Sequence, residues 1–466
     1  MSGRSAPAPP LSTTETFFIL SPSRRTVLSV DLIRESTDSV REALKKRFKP
    51  ELEQQFEKLL AVDSEWRKTT TTVRDLRAEK NKVSSEIARA KADEKKAIIG
   101  KASEISCQIA EGEATLARLE ADRDALLSML PNLPHPDVPV GPTEESNKTL
   151  LEWGERRDLG FPPKDHIDLG LGLGMMDLER AAKVSGARFY YLKGDLVLLE
   201  LALMRYALDL LRTEGFLPVS TPALARERAF HGTGFLPTGR EDLYKIENED
   251  LYLVGTAEVA LGAMHLDEML REDDLPLRYA GFSACFRTEA GAHGRDSKGI
   301  FRVHQFYKVE MFVFSYPEKS WEEHQRMIGI GQRIYRELGI PHRVVDLASG
   351  ELGASAARKY DIEAWLPGQG KYREVVSCSN CTDYQARRLG AKFVDKRDQK
   401  VKPVHTLNST AIASTRTIVA IMENFQRPNG SIEVPKVLRT YLGKEILQAL
   451  SPTSSTSIRV NPPNTS

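Results

Sequence analysis

Hydrophobic positions recur along this chain with three different periods. From Leu52 a seven-residue grid (Leu52, Leu59, Trp66, Val73, Ile87) runs beside Phe56, Leu76 and Val83. A second series, Ile98, Ala102, Ile105, Ile109, Gly112, Leu116, Leu119, Arg123, Leu126 and Leu130, alternates steps of four and three. Both are the spacing of a coiled-coil seam. The polar run ARAKADEKK (88–96) predicts a tight reversal between two arms, and Pro131, Pro134, Pro136 and Pro139 stop the second helix. Two heptad helices joined by a short turn make an antiparallel hairpin. Arms of ~40 residues at 1.5 Å rise would project ~60 Å. Upstream, VDLIRESTDSVREALKKRF (30–48) reads as one short amphipathic helix with Ile33, Val40 and Leu44 inward.

Beyond the prolines the pattern mixes strands and helices, which predicts an α+β domain. Residues 131–175 read as a proline-rich connector containing DHIDLG. Residues 187–211 pass from strand-like aromatics to a long apolar-periodic helix. LYLVGTAEVAL (251–261) predicts an apolar strand ending in Thr256, Ala257 and Glu258. Residues 284–314 predict two strands around a loop rich in Gly, Arg, Asp and Lys. On a strand, Arg287 and Glu289 would share one face. The final block, 405–442, holds a helix with Ile418, Ile421, Met422 and Phe425 on one face and Arg416 in its first turn. A cation there opposes the helix dipole, so an anion or π-system opposite is needed to make it favourable.

Composition narrows this little. The 466 residues suggest two or three domains. With 66 basic and 65 acidic residues, any nucleic-acid surface must come from local segregation of charge. Such segregation exists at the hairpin tip, where residues 80–101 carry seven Lys/Arg and three Asp/Glu. By itself that is the surface of an ordinary solvated coiled coil. No apolar run approaches the ~18 residues of a membrane span. Four scattered cysteines point to a reducing compartment, so cytoplasmic residence is expected. Residues 1–29, Ser/Thr/Pro-rich with Arg4, Arg24 and Arg25, read as a disordered tail or an upstream start, with a faint likeness to an organelle address. Residues 451–466 read as a disordered tail.

Several motifs together carry a resemblance. FRTEAG (286–291), a basic GRD loop and VHQFYKVE (303–310) resemble the second signature motif of class II aminoacyl-tRNA synthetases, in the seryl-tRNA synthetase version. GFLPVSTPAL with Pro222 is similar to the first motif, and HTLNSTAIASTRTIVAIMENF (405–425) to the third. KYREVVSCSNCTDYQARR (371–388) is close to a further family stretch. Two positions depart from the pattern. Val376 stands where serine is usual. Ser409 stands where glycine is usual, and its added Cβ is expected to crowd the substrate pocket. Cys378 and Cys381 have a zinc-like spacing, but no second pair follows.

The resemblance implies a tRNA-binding coiled-coil hairpin over 30–130, a connector over 131–175 and a class II catalytic domain over 176–450, built on an antiparallel β-sheet flanked by helices. It implies ATP-dependent ligation of L-serine to tRNA(Ser), with tRNA(Sec) as an extension, by a homodimer that does not enter the membrane. Arg287, Glu310 and Arg416 would be catalytic. Thr256, Ala257, Glu258, Arg287, Glu310, Asn408 and Thr410 would hold serine. Arg287, Thr288, Glu289, Val303, Phe306, Glu374, Val375, Val376, Ser377 and Arg416 would hold ATP, with Phe306 under the adenine and Arg416 above. Glu374 and Ser377 would bind Mg²⁺. Lys80, Lys82, Arg89, Lys91, Lys95, Lys96 and Lys101 of the hairpin, with Arg295 and Lys298 of the loop, would meet the tRNA. A paralogue loading a small amino acid on a carrier protein would not need the basic hairpin. A non-catalytic tRNA-binding homologue would be expected to lose Arg287, Glu310 or Arg416, and all three are present.

Overall fold

The computed structural model describes residues 28–290 and 298–449, apart from the side chains of residues 92–94. The expected helical arm is there, with changed boundaries. Residues 30–45 form two helices, Val30–Glu35 and Thr37–Lys45, instead of one. They meet at Ser36, whose backbone leaves the helical region (φ −134°, ψ 39°). The long helices are Pro50–Arg89 and Ala92–Met129. Only the extended residues Ala90 and Lys91 reverse the chain, so the turn is far shorter than the nine-residue polar run suggested.

Phe56 and Leu59 pack with Leu127 and Leu130, Val73 and Val83 pack with Ile105 and Ile109, and Leu52 and Leu119 are buried as well. One seam position is a carboxylate. Asp63 is buried and held by Arg34 at 2.6 Å and Arg67 at 3.2 Å. The Arg34 and Arg123 guanidinium groups lie 5.8 and 4.8 Å from the Trp66 ring centre. A charge in a packed seam is tolerable only when paired in this way.

The second unit is an eight-stranded sheet. In spatial order its strands are Lys148–Trp153, His342–Asp346, Arg358–Leu366, Lys371–Asn380, His405–Ala413, Gln305–Ser315, Leu277–Phe286 and Leu217–Ser220. All neighbours are antiparallel except the last pair, which is parallel. The proline-rich segment is therefore more than a spacer, because it supplies an edge strand and the helix His166–Gly172. Helices Asp195–Thr213, Ser320–Glu337 and Ser414–Asn424 pack on the sheet, and one large core joins them to it. Among the described residues no helix is long and apolar enough to cross a membrane.

Two predicted strand regions have different bounds. The strand at 251–261 is only Tyr252–Leu253, and Ala257–Gly262 is helical. Thr256 is the N-cap of that helix, its Oγ1 accepting from the Glu258 N–H at 3.2 Å. The strand pair 284–314 resolves into Leu277–Phe286 and Gln305–Ser315. Arg287 and Glu289 thus lie past the strand end, and Glu289 has a left-handed backbone (φ 54°). Their shared cleft comes from loop geometry, not from strand alternation.

Candidate active site

One face of the sheet is concave and bounds an open pocket of about 370 Å³. Alternation puts Phe306, Lys308 and Glu310 on that face from one strand. Asn408 and Thr410 arrive from the neighbouring strand in the same way. On strand Lys371–Asn380, Val375 has no partner across the ladder, because Ile362 pairs with Val376 and Glu363 with Glu374. That bulge turns Glu374 to the face that Ser377 and Ser379 occupy. Without it, residues three apart would point to opposite sides.

At one end the pocket is closed and hydrogen-bonded. Glu310 is buried, accepts from Thr410 Oγ1 at 3.4 Å and pairs with Lys308. Lys308 Nζ also donates to Thr256 Oγ1 at 2.7 Å. Glu258 Oε1 accepts from Gln385 Nε2 at 2.7 Å and from Asn408 Nδ2 at 2.9 Å. Burial, reinforced by the Glu310 charge, pushes the Glu258 carboxyl up to about 7. Two carboxylates over one partly neutralising lysine leave a site that favours an added cation.

The other end is cationic. Arg287 Nε donates to the Gly255 carbonyl at 3.2 Å, and its guanidinium carbon lies 5.3 Å from the Phe306 ring centre. Arg416 sits 3.2 Å from Glu374 Oε1 and 5.1 Å from the Phe301 ring centre. Burial would raise the Glu374 carboxyl, but Arg416, Lys359, Arg287 and Arg302 together hold it well below the usual range. Asp361 behaves oppositely, since burial pushes it up more than Lys359 at 3.4 Å pulls it down. A narrower cleft runs on between Arg287, Glu289, Phe301, Val303, Phe306 and Arg416. Glu289 is held there by Arg302 at 3.1 Å.

The pocket and this cleft gather Thr256, Glu258, Arg287, Glu289, Val303, Phe306, Glu310, Glu374, Val375, Ser377, Asn408, Thr410 and Arg416. Three expected residues point elsewhere. Ala257 packs in the core beneath, against the position where a Cβ on Gly281 would be. The Thr288 hydroxyl donates to the Glu241 carbonyl at 2.6 Å. Val376 is buried on the opposite sheet face, towards Gly331 of helix Ser320–Glu337.

Ser409 corrects a further expectation. It pairs with Cys378 and Met311 between the pocket-facing Asn408 and Thr410, so alternation turns it away. Its hydroxyl donates to the Thr410 carbonyl at 3.3 Å, and its Cβ does not crowd the pocket. Cys378 and Cys381 also diverge, one near the His324 carbonyl and the other beneath the Asn408 amide.

Lys308, Lys359, Arg302, Phe301, Phe235 and Ser355 join the lining without having been singled out. Strand alternation around Glu310 could have flagged Lys308; the loop residues carry no such signal. Of the nucleic-acid candidates, Lys82, Arg89, Lys91, Lys95 and Lys96 are exposed and Lys80 is half-buried. Lys101 pairs with Glu79 at 2.8 Å. Lys298 is exposed, and Arg295 lies outside the described residues.

A coiled-coil arm beside an antiparallel sheet whose pocket sets arginines against buried carboxylates is the layout of a class II aminoacyl-tRNA synthetase. Residues 243–425 match the tRNA synthetase class II core domain (G, H, P, S and T), and residues 27–134 match the seryl-tRNA synthetase N-terminal domain. A serine–tRNA ligase of Pyrococcus horikoshii is 47% identical over 444 residues, covering 90% of this chain and 98% of the relative. One from Streptomyces coelicolor is 48% identical over 429 residues, covering 91% and 100%. The crystal structure of the P. horikoshii seryl-tRNA synthetase complexed with ATP superposes with a TM-score of 0.88 at 46% identity, over 91% of this chain and 100% of that one. The cytoplasmic serine–tRNA ligase of Naegleria fowleri in complex with AMP gives 0.82 at 38%, over 89% and 96%. The chain belongs to the seryl-tRNA synthetase family.

Proposed function

We propose that this protein ligates L-serine to tRNA(Ser) through a seryl-adenylate made from ATP. The observation that carries the reading is one pocket with a carboxylate-rich closed end and a cationic open end. An amino acid offers an ammonium to the first and its reacting carboxylate, beside the triphosphate, to the second. The serine carboxylate attacks the α-phosphorus, and pyrophosphate leaves. The terminal ribose hydroxyl of the tRNA then attacks the adenylate carbonyl, and AMP leaves. The first nucleophile is already ionised, so this step needs positioning and charge stabilisation more than a strong base.

Arg287 stands between the two ends and is assigned to the α-phosphate and the serine carboxylate. Glu310, Glu258 and Thr256 take the ammonium group, and Asn408 and Thr410 border the side-chain hydroxyl. Polar partners left unpaired by alanine would disfavour it by ~10⁴-fold or more. Phe306, Phe301 and Arg416 frame the adenine, with Glu289 accepting from its amino group. The Glu374 carboxylate and Ser377 hydroxyl face one side as hard oxygen donors, and Glu374 is held ionised, a set that suits Mg²⁺. Bound there, Mg²⁺ would neutralise phosphate charge. Lys359 and Arg302 add fixed cations along the same wall.

The reading divides the chain into a tRNA-binding arm (30–130), a connector (131–175) and a catalytic domain (176–450). The arm tip, with Lys82, Arg89, Lys91, Lys95 and Lys96, suits shape and phosphate recognition of a long RNA helix. Exposed Val197, Leu198, Leu201, Leu217 and Leu224 support a homodimer through the first motif. Free cysteines fit a cytoplasmic home. The test is charging of a tRNA(Ser) transcript, followed on acid gels. Charging should require serine and fall when the variable arm is deleted or Lys95 and Lys96 become alanine. Indifference to both changes would remove the assigned role of the arm.

A further inference from the structure

The wall of the pocket between Leu352 and Ala357 has no regular secondary structure, yet it supplies Gly353, Ser355 and Ala356 to the lining. Six consecutive carbonyls of this segment all accept hydrogen bonds, three from Arg47 of the helical arm and three from Asn132 and His135 at the start of the connector. Arg47 Nη1 donates to Leu352 and Gly353, both at 3.0 Å, and Nη2 donates to Ala356 at 2.8 Å. The Asn132 backbone N–H donates to Ala354 at 2.7 Å, and its Nδ2 to Ser355 at 2.9 Å. The His135 N–H donates to Ala357 at 2.9 Å. Arg47 Nε and Nη2 also donate to the Asn132 carbonyl, the former at 3.1 Å, which binds the two donors to each other.

Arg47 sits in the elbow between helices Thr37–Lys45 and Pro50–Arg89, where Phe48 takes a left-handed backbone (φ 54°). It is 2% exposed, and its five N–H donors all end on carbonyls. Burial pushes the guanidinium down to about 10. A buried cation satisfied by carbonyls is a costly way to close a loop. A lysine ammonium could not reproduce the planar fork that reaches three separate carbonyls of the wall and the Asn132 carbonyl. The Ser355 side of this wall faces Cys381 and, beyond it, Asn408 and Glu258, at the closed end of the pocket.

We propose that Arg47, with Asn132, is a positioning residue: the base of the arm and the first residues of the connector hold the 352–357 wall in the shape that the closed, amino-acid end of the pocket requires. The inference rests on the functional reading above. It goes further in assigning part of amino-acid recognition to a residue of the arm, outside the catalytic domain.

The test is steady-state ATP–pyrophosphate exchange by the full-length chain, with serine and ATP varied separately. Arg47→Met should raise the KM for serine by about tenfold or more, as expected when charge-assisted hydrogen bonds are lost, with the KM for ATP within about twofold. Arg47→Lys should recover only part of the loss. Asn132→Ala should give the same split, and it serves if Arg47→Met does not fold. Asp63→Asn loosens the arm without touching the wall and should leave the KM for serine unchanged. If both KM values rise together in Arg47→Met and Asn132→Ala, or the KM for serine does not move, the proposal fails. If the wild type shows no serine-dependent exchange, the functional reading fails first, so the two failures are distinct.

Discussion

The two ends of the pocket stabilise charge in opposite ways. At the closed end, Glu258 and Glu310 are buried among neutral donors with Lys308 paired to Glu310, and the Glu258 carboxyl is pushed up to about 7. At the open end, arginines and a lysine surround Glu374 and hold it down. The first end gains by accepting a cation, the second by accepting anions. Desolvation outweighs attraction at Glu258, beneath the sheet and the helix Ala257–Gly262, whereas four cations together outweigh it at Glu374. Direction along the pocket is thus written in charge before any substrate arrives.

The strongest way to break this asymmetry is to remove the cation between the ends. Arg287→Ala should lower serine-dependent ATP–pyrophosphate exchange by roughly 10²–10³-fold, chiefly in kcat, since it faces charge that builds during the reaction. A loss confined to KM would show that Arg287 only binds ground states.

A subtler change sharpens the closed end. An ammonium beside Glu258 favours its carboxylate, so serine binding should release a proton near pH 7. Apparent serine affinity should then rise between about pH 6 and 8. Calorimetric titrations in buffers of different ionisation enthalpy measure that release, and Glu258→Gln should abolish it. The sign for the free protein is opposite. A carboxyl raised from 4.5 to about 7 in the native state keeps its proton there while the unfolded chain loses its own. This group's contribution to stability therefore falls as pH rises through that window.

The smallest effect belongs to Ser409. Because its side chain leaves the pocket, Ser409→Gly should change serine KM by less than about twofold. It should cost stability only by the ~0.5–1 kcal/mol typical of glycine inside a strand, read from a denaturant titration. A large gain in serine affinity would put the side chain back in the pocket.

These contrasts also mark what the sequence could and could not reveal. The arm was legible because a heptad repeat is periodic over some eighty residues, and the sheet site because three motifs fall in order. Asp63 escaped because its partner Arg34 comes from a separate helix. Val376 and Ser409 were misplaced for a simpler reason. Which face a strand residue takes depends on register and bulges, and the bulge at Val375 shifts the phase of its strand. The 352–357 wall was invisible. It has no period of its own and takes its shape from Arg47, 305 residues before Leu352.

ATP–pyrophosphate exchange across all twenty amino acids tests whether one pocket reads an ammonium and a small hydroxyl at one end and ATP at the other. Exchange with serine, far above alanine and threonine, is the predicted result. Exchange with none, or with alanine as readily as with serine, would contradict it.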